Sequence, residues 1–341
     1  MWTRHLLQMA ACGEKRYIIN IDILTTEFIS NKKRYRKFKG KELMPTKHQI
    51  TRLVMLLIYP IAQIIYRPVS KKYLTVFLFH EVTDTPSKFQ LANSNFTSVK
   101  YFKRNISWIA KNYKVIDVSQ IRNLPTNEAK PFAIITFDDA WKGQLEAVKH
   151  IHEKCDFAFT LFTNLGTVNS GIDIAALKSF AKIKVPSFDE FLVFPEQENS
   201  KIGEFLNWQG EILTIDEIEE INHLTNSTLA NHSLHHFPAS ELSIDNFTLN
   251  VDLNQKKLAT YKSFKNYFAF PFGRPEIDFD AQHIDLLKKR NYEYIFSADG
   301  KLNKLPLENQ VTLSRVNFSP TDCMKSDFWW ATNKNTLLRR S

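Results

Sequence analysis

Two acidic residues stand side by side where an apolar stretch ends. The segment "AIITFDDAWKG", residues 133–143, carries Asp138 and Asp139 just after Ala133, Ile134, Ile135 and Thr136. That run of apolar and β-branched residues reads as a buried strand, with the acids where it leaves the core. Two carboxylates at such a place repel one another and are costly without a cation. The plain alternative is a capping role at the head of the helix expected over "AWKGQLEAVKHIHEK".

Far downstream, "LANHSLHH" (229–236) places His232 and His236 four residues apart, so that a helical turn would bring both imidazoles to one face. Joined by a strand-end Asp, they make three ligands and leave coordination positions open for water and substrate. A catalytic divalent metal needs that arrangement, and a closed structural site does not. The second acid is then in reach of a water at the metal and can take its proton. Iron oxygenases share the two-His-one-carboxylate set but need no neighbouring base, so hydrolysis is favoured over oxygen chemistry.

Followed in order by "FAFPFGRP" (268–275), these segments resemble the successive motifs of the polysaccharide deacetylase family, carbohydrate esterase family four, over residues 74–320. The resemblance implies an α/β fold, a distorted (β/α) barrel, and metal-dependent removal of N-acetyl groups from amino sugars. It implies Asp138 as the catalytic base and Asp139, His232 and His236 as ligands of a divalent metal, usually Zn2+. It further implies that the backbone N–H of Phe272, just after Pro271, helps to hold the oxyanion, a contribution typically worth about 3 kcal/mol. Residues 267–270 read independently as a short strand, broken by Pro271 and Gly273 into a loop.

Two departures from the family pattern stand out. Many members carry an Arg two residues before this proline to orient the base, and here that place is Ala269; Arg274 is the replacement nearest in sequence. The late Leu-x-x-His motif, which supplies the general acid, should fall near "VTLSRVNF" (311–318), and that segment has no His. The best substitute is His80 in "LTVFLFHEVTD": residues 74–79 read as a strand, and His80 emerges at its C-terminal end, where chemistry collects in barrels of parallel strands. A packed histidine bonded to backbone is the plain alternative, and His235 and Glu81 are neighbours rather than actors. Loss of the acid would leave a non-catalytic carbohydrate-binding relative, and deformylation of a lipid-linked amino sugar would use the same machinery.

The elements that must position these residues are also legible. With 341 residues, 43% of them hydrophobic, the chain can bury a full barrel core. The barrel is expected over 71–325, with an N-terminal basic and apolar extension over 1–70 and a C-terminal tail over 326–341. Residues 167–210 read as an insertion of short helices and loops near the site, where substrate selection could reside. Next comes "LTIDEIEEINHL" (213–224), a barrel helix headed by a cap-like Thr214.

Charge is unevenly spread. Residues 1–70 hold 13 Lys or Arg against 4 Asp or Glu, and the remaining 32 and 32 cancel, so the whole excess lies outside the barrel. The cluster "NKKRYRKFKGK" (31–41) alone would suit nucleic acid or a solvated linker, but no nucleic-acid partner is expected. The apolar run 53–66 is too short to span a bilayer and contains Pro60. It reads as a helix packed on the barrel, or as one in a membrane interface with residues 31–67 drawn to anionic lipid. Without a convincing signal peptide, and with Cys12, Cys155 and Cys323 far apart, the expectation is a cytoplasmic protein, peripheral on the inner membrane face if the interface reading holds. The partner expected is a carbohydrate with an N-acylated amino sugar, and Trp329 and Trp330 are either sugar-stacking or packed.

Overall fold

The computed structural model describes residues 71–125, 127–181, 199–307 and 310–317. The extension over 1–70, residues 182–198 of the insertion, Cys12, Cys323 and the tail with Trp329 and Trp330 lie outside the described residues.

In chain order the first half contains β1 (Tyr73–Phe79), β2 (Glu81–Val82), α1 (Lys88–Asn93), β3 (Phe96–Thr97), α2 (Val99–Asn112), β4 (Lys114–Val115), β5 (Phe132–Asp138), α3 (Gln144–Cys155) and β6 (Phe159–Thr163). Then come α4 (Leu165–Ser170), α5 (Ile174–Ala181), α6 (Asn199–Gln209), α7 (Ile215–Asn222), β7 (Ser227–Asn231), α8 (Ile244–Leu258) and β8 (Phe264–Ala269). The last part holds α9 (Ala281–Lys289), β9 (Tyr294–Ser297), β10 (Asn303–Lys304), β11 (Thr312–Ser314) and β12 (Val316–Asn317).

Strands β1, β5 and β6 are almost continuous apolar runs, buried along nearly their whole length, as parallel strands covered on both faces must be. The principal sheet runs β10-β1-β5-β6-β7-β8-β9-β11; its members pair in parallel except for β10, which lies antiparallel on β1. β11 pairs with β9, whereas β12 pairs with β1 at the opposite side. One residue, Arg315, separates β11 from β12, so the chain passes from the last strand back to the first and nearly closes the sheet into the expected barrel.

Alternation along each strand sorts the core into an inside and an outside. Leu74, Val76, Ile134, Phe162, Ala230, Tyr267, Ala269, Tyr294, Phe296 and Leu313 pack together in one cluster. Their odd-even counterparts Phe77, Phe79, Ala133, Ile135, Phe137, Leu161 and Leu229 pack instead with helix residues such as Phe102, Ile106, Val148, Ile151, Ile218 and Ile221. Following the inner face onward leads, in two pleats, from Ile134 to Asp138 and from Val76 to His80, and, in one, from Ala230 to His232 and from Leu313 to Arg315. Four polar side chains are thereby brought to the C-terminal mouth of the barrel by strand periodicity alone.

Several expectations on local structure are met and others corrected. α7 begins at Ile215 with Thr214 as cap, in a reciprocal capping box with Glu217. The acids at 138 and 139 do not cap α3, which starts at Gln144 behind Gly143 with no side-chain cap. His232 and His236 do not share a helical turn: they lie in the loop after β7, where Ser233 and His236 take left-handed φ values of 61° and 58°. That loop, rather than a helix, aims the two rings.

Candidate metal centre

Asp139 lies just past the end of β5 and has the left-handed φ of 74°, uncommon for a residue with a Cβ. This conformation lets consecutive carboxylates do different things, since continuation of the strand would turn Asp139 to the outer face. Oδ1 of Asp139 lies 3.2 Å from His232 Nε2 and 3.0 Å from His236 Nε2. Its other oxygen, Oδ2, accepts from Trp141 Nε1 at 3.1 Å and from Asn95 Nδ2 at 3.5 Å. All three ligand-bearing residues are buried, and their ligand atoms lie within 4.8 Å of one another.

The donor set, one carboxylate oxygen and two imidazole nitrogens, could hold a divalent metal ion. With zinc–ligand bonds near 2.0–2.2 Å, neighbouring ligand atoms sit about 3.3 Å apart, close to the separations of Oδ1 from the two imidazole nitrogens. The far ring nitrogens are occupied as a metal ligand's should be. His232 Nδ1 is 2.8 Å from the carbonyl of Ala269, and His236 Nδ1 is 2.6 Å from Asp173 Oδ2. A carbonyl can only accept, so His232 Nδ1 carries a proton, and Nε2 is the ring nitrogen turned toward Asp139.

Electrostatics point the same way. Burial pushes the Asp139 carboxyl up, but His236, His232 and His80 outweigh it and hold the group well below the usual carboxylate range. Burial pushes His236 down, and the carboxylates of Asp139 and Asp173 more than reverse this, holding it well above the usual imidazole range. A site that stabilises positive charge between buried carboxylates is suited to a cation.

Asp138 is held apart from that set. Its two oxygens accept from Nη1 and Nη2 of Arg315 at 2.6 and 2.7 Å, a bidentate fork. Arg315 is fully buried, its Nε donates to the carbonyl of Ser297, and its guanidinium carbon lies 5.3 Å from the ring centre of Phe162. Asp138 Oδ2 is 3.8 Å from His232 Nε2, so the forked carboxylate borders the three-residue cluster. Arg274 does not take the orienting role: its Nε and Nη2 both bind Asp278, at 2.8 Å, four residues on in the same loop.

His80 lies beside the cluster, with Nε2 4.0 Å from Asp139 Oδ2. Burial holds its imidazole below the usual range, the carboxylates of Asp139 and Asp138 offsetting only part of the effect. Phe272 sits across His236, the rings stacked at 5.3 Å with planes 6° apart, and is 40% exposed in spite of its size. Its φ is 62°, and among the described residues no acceptor takes its backbone N–H. The turn that follows requires Gly273, whose φ is 71° and whose Cβ would lie 2.8 Å from the Ala298 nitrogen. Asp139, His236 and Phe272 thus all hold strained backbone, which concentrates at functional sites. His235 faces away, against Gly166 at the head of α4.

Three residues of this constellation escape a reading of the sequence. Trp141 follows the acid pair, but a Trp gives no sign that its N–H will bind a carboxylate. Arg315 stands in the segment where a His was sought. Asp173 lies in the inserted segment, 59 residues before His232.

No family model matches the sequence, and no curated protein matches it. Solved structures do resemble it. The Streptococcus pyogenes deacetylase PplD, in complex with acetate, is 16% identical with a TM-score of 0.53, over 80% of this chain and 98% of that one. A polysaccharide deacetylase from Bacillus cereus is 16% identical with a TM-score of 0.53, over 76% of this chain and 68% of that one. A de-N-acetylase from Aggregatibacter actinomycetemcomitans is 14% identical with a TM-score of 0.51, over 74% and 97%. The chain therefore has the barrel fold of solved polysaccharide deacetylases.

Proposed function

We propose that the chain is a member of the polysaccharide deacetylase family and a metal-dependent hydrolase that removes N-acetyl groups from an amino sugar of a surface polysaccharide or its lipid-linked precursor. The observation that carries this reading is the pairing of a three-ligand cluster, Asp139, His232 and His236, with a separate carboxylate, Asp138, locked by Arg315. The fold likeness supports it, as do the names of the similar structures.

Asp139, His232 and His236 would hold the divalent metal, most reasonably Zn2+. When bound, that ion supplies Lewis acidity at the acyl carbonyl and a nucleophilic water at neutral pH. Asp138, gripped by the Arg315 guanidinium, accepts a proton from the attacking water at a carboxylate oxygen. Its Arg315 fork prevents it from swinging into the ligand cluster. The Phe272 N–H donates to the oxygen on which negative charge develops, and the ring of Phe272 forms one wall of the site. His80, beside the cluster, is the side chain placed to pass a proton to the departing nitrogen, a role in which the carboxylates of Asp139 and Asp138 work against the burial that disfavours its charged form. Deformylation of an amino sugar would employ the same groups in the same roles.

The barrel over 71–325 carries the reaction, and residues 31–67 contribute a membrane-surface contact. Among the described residues no helix is long and apolar enough to cross a membrane. The test of the activity is release of acetate or formate from N-acylated oligosaccharides and lipid-linked sugars, with and without added zinc. Zinc-dependent acetate release supports the reading, and zinc binding without release of either acid would point to a non-catalytic carbohydrate-binding protein. Sedimentation with anionic vesicles, lost on removal of residues 1–70 and weakened by salt, tests the membrane contact.

A further inference from the structure

Asp173, in the turn between α4 and α5, has no part in the chemistry described above. It is a carboxylate with 1% of its surface exposed, and among the described residues no Lys or Arg pairs with it. Leaving such a group charged in the core is expensive unless it is fully engaged. Every polar atom of its side chain is engaged: Oδ1 accepts from the Ala176 backbone at 2.9 Å, and Oδ2 meets His236 Nδ1 at 2.6 Å. Its own N–H donates to Gln209 Oε1 at 2.7 Å, and Gln209 Nε2 binds the Gly171 carbonyl at 2.9 Å. The start of α5 is thereby tied to the Asp173 carboxylate, and the end of α6 to the backbone of the same turn.

His236 depends on that tie. It sits in a loop at a left-handed φ, so no regular backbone dictates where its ring points. What orients it is Asp173 on Nδ1 and the stacked ring of Phe272 on its face. Helix capping alone would not call for an acid, because Asn or Ser caps as well. A carboxylate on the distal nitrogen of an imidazole does something a neutral cap cannot: it fixes the tautomer and makes the near nitrogen a stronger donor to a metal.

We propose that Asp173 is a positioning residue of the metal centre, so that the inserted segment contributes to the metal site through this residue. The proposal rests on the metal reading given above. It is tested by zinc affinity, measured by competition against a chromophoric chelator on the full chain. Asp173→Asn should keep the α5 cap and an unchanged far-UV circular dichroism spectrum, yet bind zinc roughly 10- to 100-fold more weakly. Asp173→Ala should bind more weakly still. A second readout needs no variant: in zinc-loaded wild-type protein, nitrogen-15 spectra should show His236 protonated at Nδ1 and bound through Nε2. Wild-type affinity in both variants, or binding of His236 through Nδ1, overturns the proposal and leaves the metal reading standing. Wild-type protein that binds zinc no better than His232→Ala overturns the metal reading itself, and the role of Asp173 with it.

Discussion

Arg315 grips both oxygens of Asp138 from the single residue that separates β11 from β12, the point where the barrel closes on itself. This one ion pair accounts for two departures from the family pattern together. The orienting Arg absent at Ala269 is supplied from the far side of the barrel, and the segment where the family would have its late His holds an Arg instead. Arginine is not a general acid, so under the proposed hydrolysis the departing nitrogen would take its proton from another group, assigned above to His80.

Arg315→Met should leave Asp138 buried and unpaired, which typically costs about 3–5 kcal/mol. At about 2–4 °C per kcal/mol for a domain of this size, the melting temperature should fall by roughly 6–20 °C. Arg315→Lys keeps a charge but loses the fork and should recover only part of the loss. In the double variant with Asp138→Asn the two losses should not add, because each single change strands the other partner. Additive losses in thermal melts would show that the pair is not coupled.

How far the sequence foretold this site depended on whether a residue's position follows from its own strand. Asp138, His232 and His80 are legible because strand alternation and strand ends place them, and Asp139 because it adjoins Asp138. The four-residue spacing of the two histidines suggested a helical turn, whereas the loop after β7 reaches the same end through left-handed backbone at Ser233 and His236. Partnerships across the barrel were not legible. Arg315 meets a residue 177 positions away, and Arg274, nearer to Asp138 in the sequence, is satisfied locally by Asp278. Asp173 was hidden for a similar reason: an acid in an inserted segment looks like surface until the fold buries it against His236.

The assignment of the two adjacent acids can be separated by substitution. Asp139→Asn and His232→Ala should each abolish zinc retention through gel filtration, read by atomic absorption. Asp138→Asn should retain zinc and lose hydrolysis. Zinc loss in the Asp138 variant would reverse the roles of the two carboxylates.

His80→Ala should lower hydrolysis by a factor of roughly 10² to 10⁴, the usual contribution of a positioned proton donor, with zinc content unchanged. The comparison is made on turnover at saturating substrate, since a lost acid lowers kcat rather than weakening binding. An Ala variant with full turnover would place the proton donor elsewhere.

Glu81 offers a test on pH that is independent of the metal. It adjoins His80 and is 4% exposed. Burial raises its carboxyl to about 7, even though the N–H groups of Val82 and Gly143 and the amide of Gln90 favour the charged form. Between an ordinary pKa near 4.5 and the folded value near 7, the folded state binds a proton that the unfolded chain has released. Stability from this group is therefore fully present below about pH 4.5 and declines as pH rises to 7, by an amount of order 3 kcal/mol. In Glu81→Gln this pH-dependent loss should be absent. Urea unfolding of wild type and variant at pH 5 and pH 8, with a chelator present in all samples, isolates the effect as a difference. The variant should gain about 2–3 kcal/mol relative to wild type between the two pH values, and a constant difference would mean that Glu81 is already ionised in the fold at pH 5.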